Sequence, residues 1–143
     1  MNPDQIFSIC NTLAMVGWIV LIFFKVWKKR DQFVFGILIM LLAIVYSWLI
    51  FSSFDKEIFE NFSTLNGVSK LFANKQMLLA GWIHYLAFDL LAGIYIIRNA
   101  EKNNINHWLI TPALVLTFLF GPFGLLLYYL LRWVKTRKYF SDF

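Results

Sequence analysis

The chain has 143 residues, 60% of them hydrophobic and only 15% charged, with a net charge of +5 at pH 7. A soluble domain carries about a quarter charged residues and spaces its apolar residues in stripes, whereas here they form unbroken runs, so a water-soluble fold is excluded and an integral membrane protein is expected. The positive charge gathers where the runs end, in "KVWKKR" and "RWVKTRK", which fits anchoring at lipid head groups and argues against a nucleic-acid surface.

The N-terminal "MNPDQIFSIC" has no Lys/Arg-rich start or small-residue cleavage site, and no Arg- and Ser-rich transit composition. The first apolar run is therefore expected to remain in place, in a bacterial inner membrane or in a mature form. A hydrocarbon core of about 30 Å takes roughly 20 helical residues, which selects four spans, 6–27, 33–54, 77–97 and 112–133. Lipid offers no partner for an unpaired backbone amide, so the spans are helices. The expected fold is an all-α integral membrane protein with one four-helix transmembrane domain over residues 1–143.

Within the first span, the lone Cys10 reads as a small buried hydrophobe. Asn11 and Thr12, with Tyr46 and Ser47 of the second span, read as polar ties between helices. Residues 55–76 form the longest connection, with apolar residues at Ile58, Phe59, Phe62, Leu65, Val68, Leu71 and Phe72. Their spacing predicts an amphipathic interfacial segment of one or two short helices broken at "STLNG", serving as a connector or as a lid. Trp27, Trp82, Trp108 and Trp133 fall near the interfaces, and Trp18 and Trp48 lie deeper. Four spans divide the basic residues six to seven between the two sides, so orientation stays open.

The third span holds "GWIHYLAFDLLAG". With Gly81 at zero and 100° per residue, Tyr85, Asp89 and Gly93 fall at about 40°, 80° and 120°, one ridge of small and polar residues suited to close helix packing. Asp89 is about 18 Å along the helix from Met77, near mid-bilayer. An ionised carboxylate there costs about 2.5–3.5 kcal/mol or more, so Asp89 must carry a proton or find a partner. This makes it the strongest functional candidate. His84 lies about 140° away around the helix, so the two form no dyad on this span; structural and chemical roles for His84 both stay open.

The fourth span, "TPALVLTFLFGPFGLLLYYLLR", opens with Thr111 as the expected cap and Pro112 at the first helical position. Pro122 is expected to kink it beside Gly121 and Gly124 and to free the Phe118 carbonyl as an acceptor for Asp89, with Thr117 nearby. Arg98 is expected to pair with Glu101 one turn on, and Arg132 to snorkel to the interface. His107 is the other histidine. No metal-ligand spacing joins the two histidines, and neither a metal nor a cofactor is expected. The 28 aromatic residues, 16 of them Phe, suit a long apolar ligand such as a polyene or isoprenoid.

"LAGWIHYLAFDLLAG" and "NHWLITPALVLTFLFGPFGLLLYYLLR", with "GVSKLFANKQMLLAGW", "IFSICNTLAMVGWIVLIF" and "IVYSWLIF", carry a resemblance over nearly the whole chain. They resemble the abscisic-acid-deficient-four-like family, small membrane proteins whose plant members are called neoxanthin synthases. Asn106 stands where the family has proline, and "FFKVWKKR" lacks a further family proline. The resemblance implies carotenoid chemistry: a non-redox isomerisation of a xanthophyll 5,6-epoxide to an allenic alcohol, which needs an acid at the epoxide oxygen and a base at a vinylic proton. Asp89 would be the acid and His84 or His107 the base, with Tyr85, Trp82, Thr117, Phe118 and Arg98 as substrate contacts. Other readings are a non-catalytic carotenoid- or lipid-binding subunit, a small proton-coupled transporter that would require a homo-oligomer, and a purely structural "HYLAFD". Membrane lipid is an expected partner in all of them.

Overall fold

The computed structural model describes residues 2–53 and 61–140, and every regular element among them is a helix. Three are long and apolar enough to cross a membrane: α1 (Pro3–Phe23), α2 (Arg30–Ser52) and, after the short α3 (Leu65–Ala73), α4 (Lys75–Lys102). Asn2 starts α1 by accepting from the Asp4 N–H while Gln5 reaches back to the Asn2 N–H, and Pro3 sits where a missing N–H is harmless. α2 widens into a π-helical stretch over Val34–Ile39, around Gly36.

The predicted break at "STLNG" is instead a helix start. Thr64 caps α3 by accepting from the Gly67 N–H, and Gly67 lies against the Asn61 backbone where a Cβ has no room. Phe72 of α3 lays its ring on α4, 2.9 Å from where a Cβ on Gly81 would sit. Ile58 and Phe59 lie outside the described residues.

α4 is the central post. Trp18 of α1 fits over Gly93, 2.9 Å from a Cβ position there, and Leu90 of α4 fits over Gly17 at 2.8 Å. Small residues thus admit large ones across the α1–α4 contact, as packing without a hydrophobic driving force requires. Asn11 and Trp82 tie the same pair by a 2.9 Å bond from the indole N–H.

The expected fourth span takes a different form. The helix starts at His107, capped by Asn106, which accepts from the Trp108 N–H; Thr111 instead donates its hydroxyl to the His107 carbonyl, and Pro112 lies inside the helix. α5 (His107–Phe120) ends at Gly121, and α6 (Pro122–Thr136) folds back along it, so that Gly124 touches Thr117 and Ala113. A single kinked helix would hold Gly124 and Ala113 about 16 Å apart along the axis. Pro122 at the first turn of a new helix, after a glycine at φ +50°, permits full reversal where a kink was expected. The tip lies beside Asp89, while Tyr128 and Tyr129 of α6 meet Asn99 and Tyr95 of α4 on the way back. α5 and α6 therefore form a re-entrant hairpin that starts and finishes at one end of the bundle.

That reversal brings the basic residues together. Lys25, Lys28, Lys29, Arg30, Arg98, Lys102, Arg132, Lys135, Arg137 and Lys138 all belong to the end where α1 and α4 finish, against Lys70 and Lys75 among the described residues of the other end. The expected Arg98–Glu101 pair gives way to cross-helix pairs at this end: Arg98 with Asp31 at 3.1 Å, and Glu101 with Arg30 at 2.6 Å. The start of α2 lies alongside the end of α4, so a partner on the neighbouring helix is nearer than one a turn away. Arg132 does not snorkel; it is 2% exposed, lies over the Tyr129 ring at 5.0 Å and donates to the Tyr139 carbonyl at 2.6 Å.

Two outcomes follow. By the positive-inside rule the basic end is expected to face the cytoplasm, so a reporter fused after residue 140 is expected to be active only there. Gly124→Ala is expected to destabilise the fold by about 1–3 kcal/mol by prising the hairpin apart, whereas Gly36→Ala, with open space at its Cβ, retains wild-type thermal stability in detergent.

Candidate functional site

The hairpin tip is where a sequence-singled polar group, a backbone reversal and buried unpaired atoms meet. Asp89 is 7% exposed, and its Oδ2 has no hydrogen-bond partner among the described residues. Its Oδ1 lies 2.7 Å from where a Cβ on Gly121 would be. Gly121 is therefore required twice, for its left-handed φ and for the approach of the carboxylate.

The carbonyls freed at the break do not receive Asp89. Tyr85, one turn before it on the same ridge, directs its hydroxyl at them instead, 3.1 Å from the Leu119 oxygen and 3.4 Å from that of Phe118. Thr117 donates inward to the Ala113 carbonyl at 2.8 Å, and the Gly121 N–H donates to the Thr117 carbonyl, also at 2.8 Å. With these bonds the backbone of the tip is largely satisfied within the protein, and the Asp89 carboxyl keeps an oxygen uncommitted. Phe118 packs on Trp18 at 5.6 Å, and the Trp18 indole N–H is a second buried group here without a partner among the described residues.

The remaining candidates lie elsewhere. His84 projects from the opposite side of α4, stacked on Phe88 at 4.4 Å and 5.7 Å from the Tyr46 ring. It lines a separate apolar cavity of about 200 Å³ walled by Tyr46, Ile50, Phe72, Met77 and Gly81. His107 is at the basic end, buried, with Nε2 2.8 Å from the Ile22 carbonyl. A carbonyl only accepts, so Nε2 carries the hydrogen, and burial, opposed in part by that bond, holds the ring below the ordinary histidine range and hence neutral. Trp82 sits toward the other end with Asn11, and Arg98 is engaged with Asp31. The bundle thus brings Asp89, Tyr85, Phe118, Thr117, Gly121, Pro122 and Gly124 to one place and keeps His84, His107, Trp82 and Arg98 away from it.

Three buried polar residues escape sequence reasoning: Arg30, Asn99 and Arg132. Asn99 accepts from the Tyr128 hydroxyl at 2.6 Å and fixes the returning limb of the hairpin. In the sequence it stands just before the charged "EK", which gives it the look of a solvated helix end. Among the described residues no three His, Cys, Asp or Glu side chains come together to hold a metal.

Tyr85→Phe, which leaves two mid-membrane carbonyls without a donor, is expected to lower stability by about 1 kcal/mol. Thermal unfolding in detergent would read it, and an unchanged midpoint would show that the hydroxyl does not cap the tip.

A family model described as ABA DEFICIENT 4-like matches residues 5–128, a stretch that includes most of α1, all of α4, the hairpin tip and Asp89. No curated protein and no solved structure matches the chain.

Proposed function

The chain belongs to the ABA DEFICIENT 4-like family, and on that premise we propose that it is a carotenoid-modifying membrane protein, a cofactor-independent isomerase of a xanthophyll epoxide working within the bilayer. The observation that carries this reading is the buried Asp89 carboxyl, with one oxygen unpaired, beside a helix reversal. A group that costs this much to bury has a use or a partner, and the Tyr85 hydroxyl beside it is shared with the nearby carbonyls.

In this reading Asp89 gives its proton to the epoxide oxygen. One C–O bond breaks, its electron pair stays on oxygen, and the oxygen becomes a hydroxyl. The neighbouring vinylic C–H then gives up its proton, and the electrons of that bond form the second double bond of the allene. Atoms and oxidation state balance. His84 opens onto another cavity, so the Asp89 carboxylate left by the first step takes the vinylic proton and returns to its starting form. His84 contacts the substrate away from the reacting carbons, and His107 serves the fold through Ile22. Phe118, half-buried and backed by Trp18, supplies an aromatic wall for a conjugated chain to pack against.

The test is expression in a host that accumulates the diepoxide violaxanthin, with chromatography of total and copurified pigments. An allenic product is expected, reduced roughly 10²–10⁴-fold by Asp89→Asn and much less by His84→Ala, with both variants folded. Unchanged pigment that copurifies without product would make the protein a carrier subunit. Full conversion by Asp89→Asn would overturn the assignment.

A further inference from the structure

Two open apolar grooves flank the outer face of α6. The first, about 550 Å³, lies between α4 and α6, walled by Phe88, Ala92, Tyr95 and Arg98 with Leu125 and Tyr129. The second, about 420 Å³, shares Leu125 and Tyr129 and continues along Pro122, Leu126, Leu130, Trp133 and Tyr139. Both fall within the roughly 300–1,000 Å³ of small-molecule sites. Leu125 and Tyr129, one turn apart, form the ridge between them.

The depth of the grooves limits what fits. Pro122 is at the hairpin tip beside mid-bilayer Asp89, and Trp133 is eleven residues on, about 16 Å toward the basic end. This is about half of a 30 Å hydrocarbon core, so each groove is one leaflet deep. A polyene that crosses the membrane would overrun the tip, whereas the chains of a phospholipid end there.

The mouth of the pair is cationic. The hydroxyls of Tyr95 and Tyr129 meet at 2.6 Å, and α4 and α6 run parallel from that contact toward the basic end. Arg98 follows Tyr95 by three residues and lines the first groove at this end, whereas Arg132, three residues after Tyr129, is held beneath the tail. Arg98 is exposed and shares Asp31 with Arg30. Arg132 has no carboxylate against it among the described residues; its partners are backbone carbonyls and the Tyr129 ring, and its Nε has no acceptor. Lys135, Arg137 and Lys138 follow on an exposed stretch.

We infer that this face binds one anionic diacyl phospholipid of the cytoplasmic leaflet, its chains in the two grooves on either side of the Leu125–Tyr129 ridge and its phosphate at Arg98 at the mouth of the first groove. The site meets the hairpin tip only at Pro122 and does not depend on the carotenoid reading. It ties α4 to the returning limb of the hairpin and so supports the placement of Gly121 beside Asp89.

Native mass spectrometry of the full chain, purified in detergent and titrated with phosphatidylglycerol or phosphatidylcholine of identical acyl chains, tests this. The wild type is expected to retain one phosphatidylglycerol per chain and to release phosphatidylcholine. Removing one cation from the mouth weakens binding of the anionic lipid about fivefold, so Arg98→Gln is expected to show that weakening and Lys75→Gln, at the other end, none. Ala92→Phe fills the first groove without changing a charge and is expected to abolish retention even where Arg98→Gln disturbs the fold. Equal retention of the two lipids, or wild-type retention by both Arg98→Gln and Ala92→Phe, would overturn the inference. Displacement of phosphatidylglycerol by zeaxanthin would assign the grooves to the polyene and overturn it as well.

Discussion

Lipid cannot hydrogen-bond a peptide group, and a helix reversal at mid-membrane leaves several of them in need of partners. The rest of this structure is arranged around that demand at Gly121. The Gly121 N–H turns back to Thr117, Tyr85 reaches across from α4 to the Phe118 and Leu119 carbonyls, and Gly124 lets the returning limb lie flat against Thr117 and Ala113. A glycine at φ +50° followed by proline makes the reversal sterically possible. Asp89 is then left beside the turn, where no side chain fits at Gly121 and its Oδ2 has no hydrogen-bond partner among the described residues.

Because α4 is contacted on several sides, it separates its polar groups by angle. The Tyr85–Asp89 ridge faces the hairpin, His84 faces α2 and α3 across an apolar cavity, and Gly93 faces Trp18. Two titratable groups five residues apart are thereby given different surroundings. One has a polar turn and an unpaired oxygen; the other has stacked rings and open apolar space. The structure thus keeps the two side chains apart.

The hairpin also settles the electrostatics. By returning to the end from which it entered, it carries Arg132, Lys135, Arg137 and Lys138 to the side that already holds the ends of α1 and α4 and the start of α2. Cations that a through-going helix would have placed across the membrane instead converge on one face. Asp31 and Glu101 neutralise some of them across helices. The others, with Arg132 tucked under its own tail, leave a cationic margin above two apolar grooves.

Much of this was legible in the chain. Unbroken apolar runs determined a helical membrane protein, since only helices satisfy the backbone of such segments in lipid. The 3.6-residue period placed Gly81, Tyr85, Asp89 and Gly93 on one ridge and His84 off it, and the Gly-Pro pair marked a break at the depth of Asp89. These are local properties, carried by residues within a turn or two of each other. Only the tertiary structure decided that the break is a reversal, that Tyr85 and not Asp89 serves the freed carbonyls, that Arg98 and Glu101 seek Asp31 and Arg30, and that Asn99 and Arg132 are buried. A proline after a glycine permits either a kink or a hairpin by its own dihedral angles; which one forms depends on whether Gly124 can lie against Thr117 and Ala113 and whether Tyr128 finds Asn99, contacts made between residues that the sequence holds far apart.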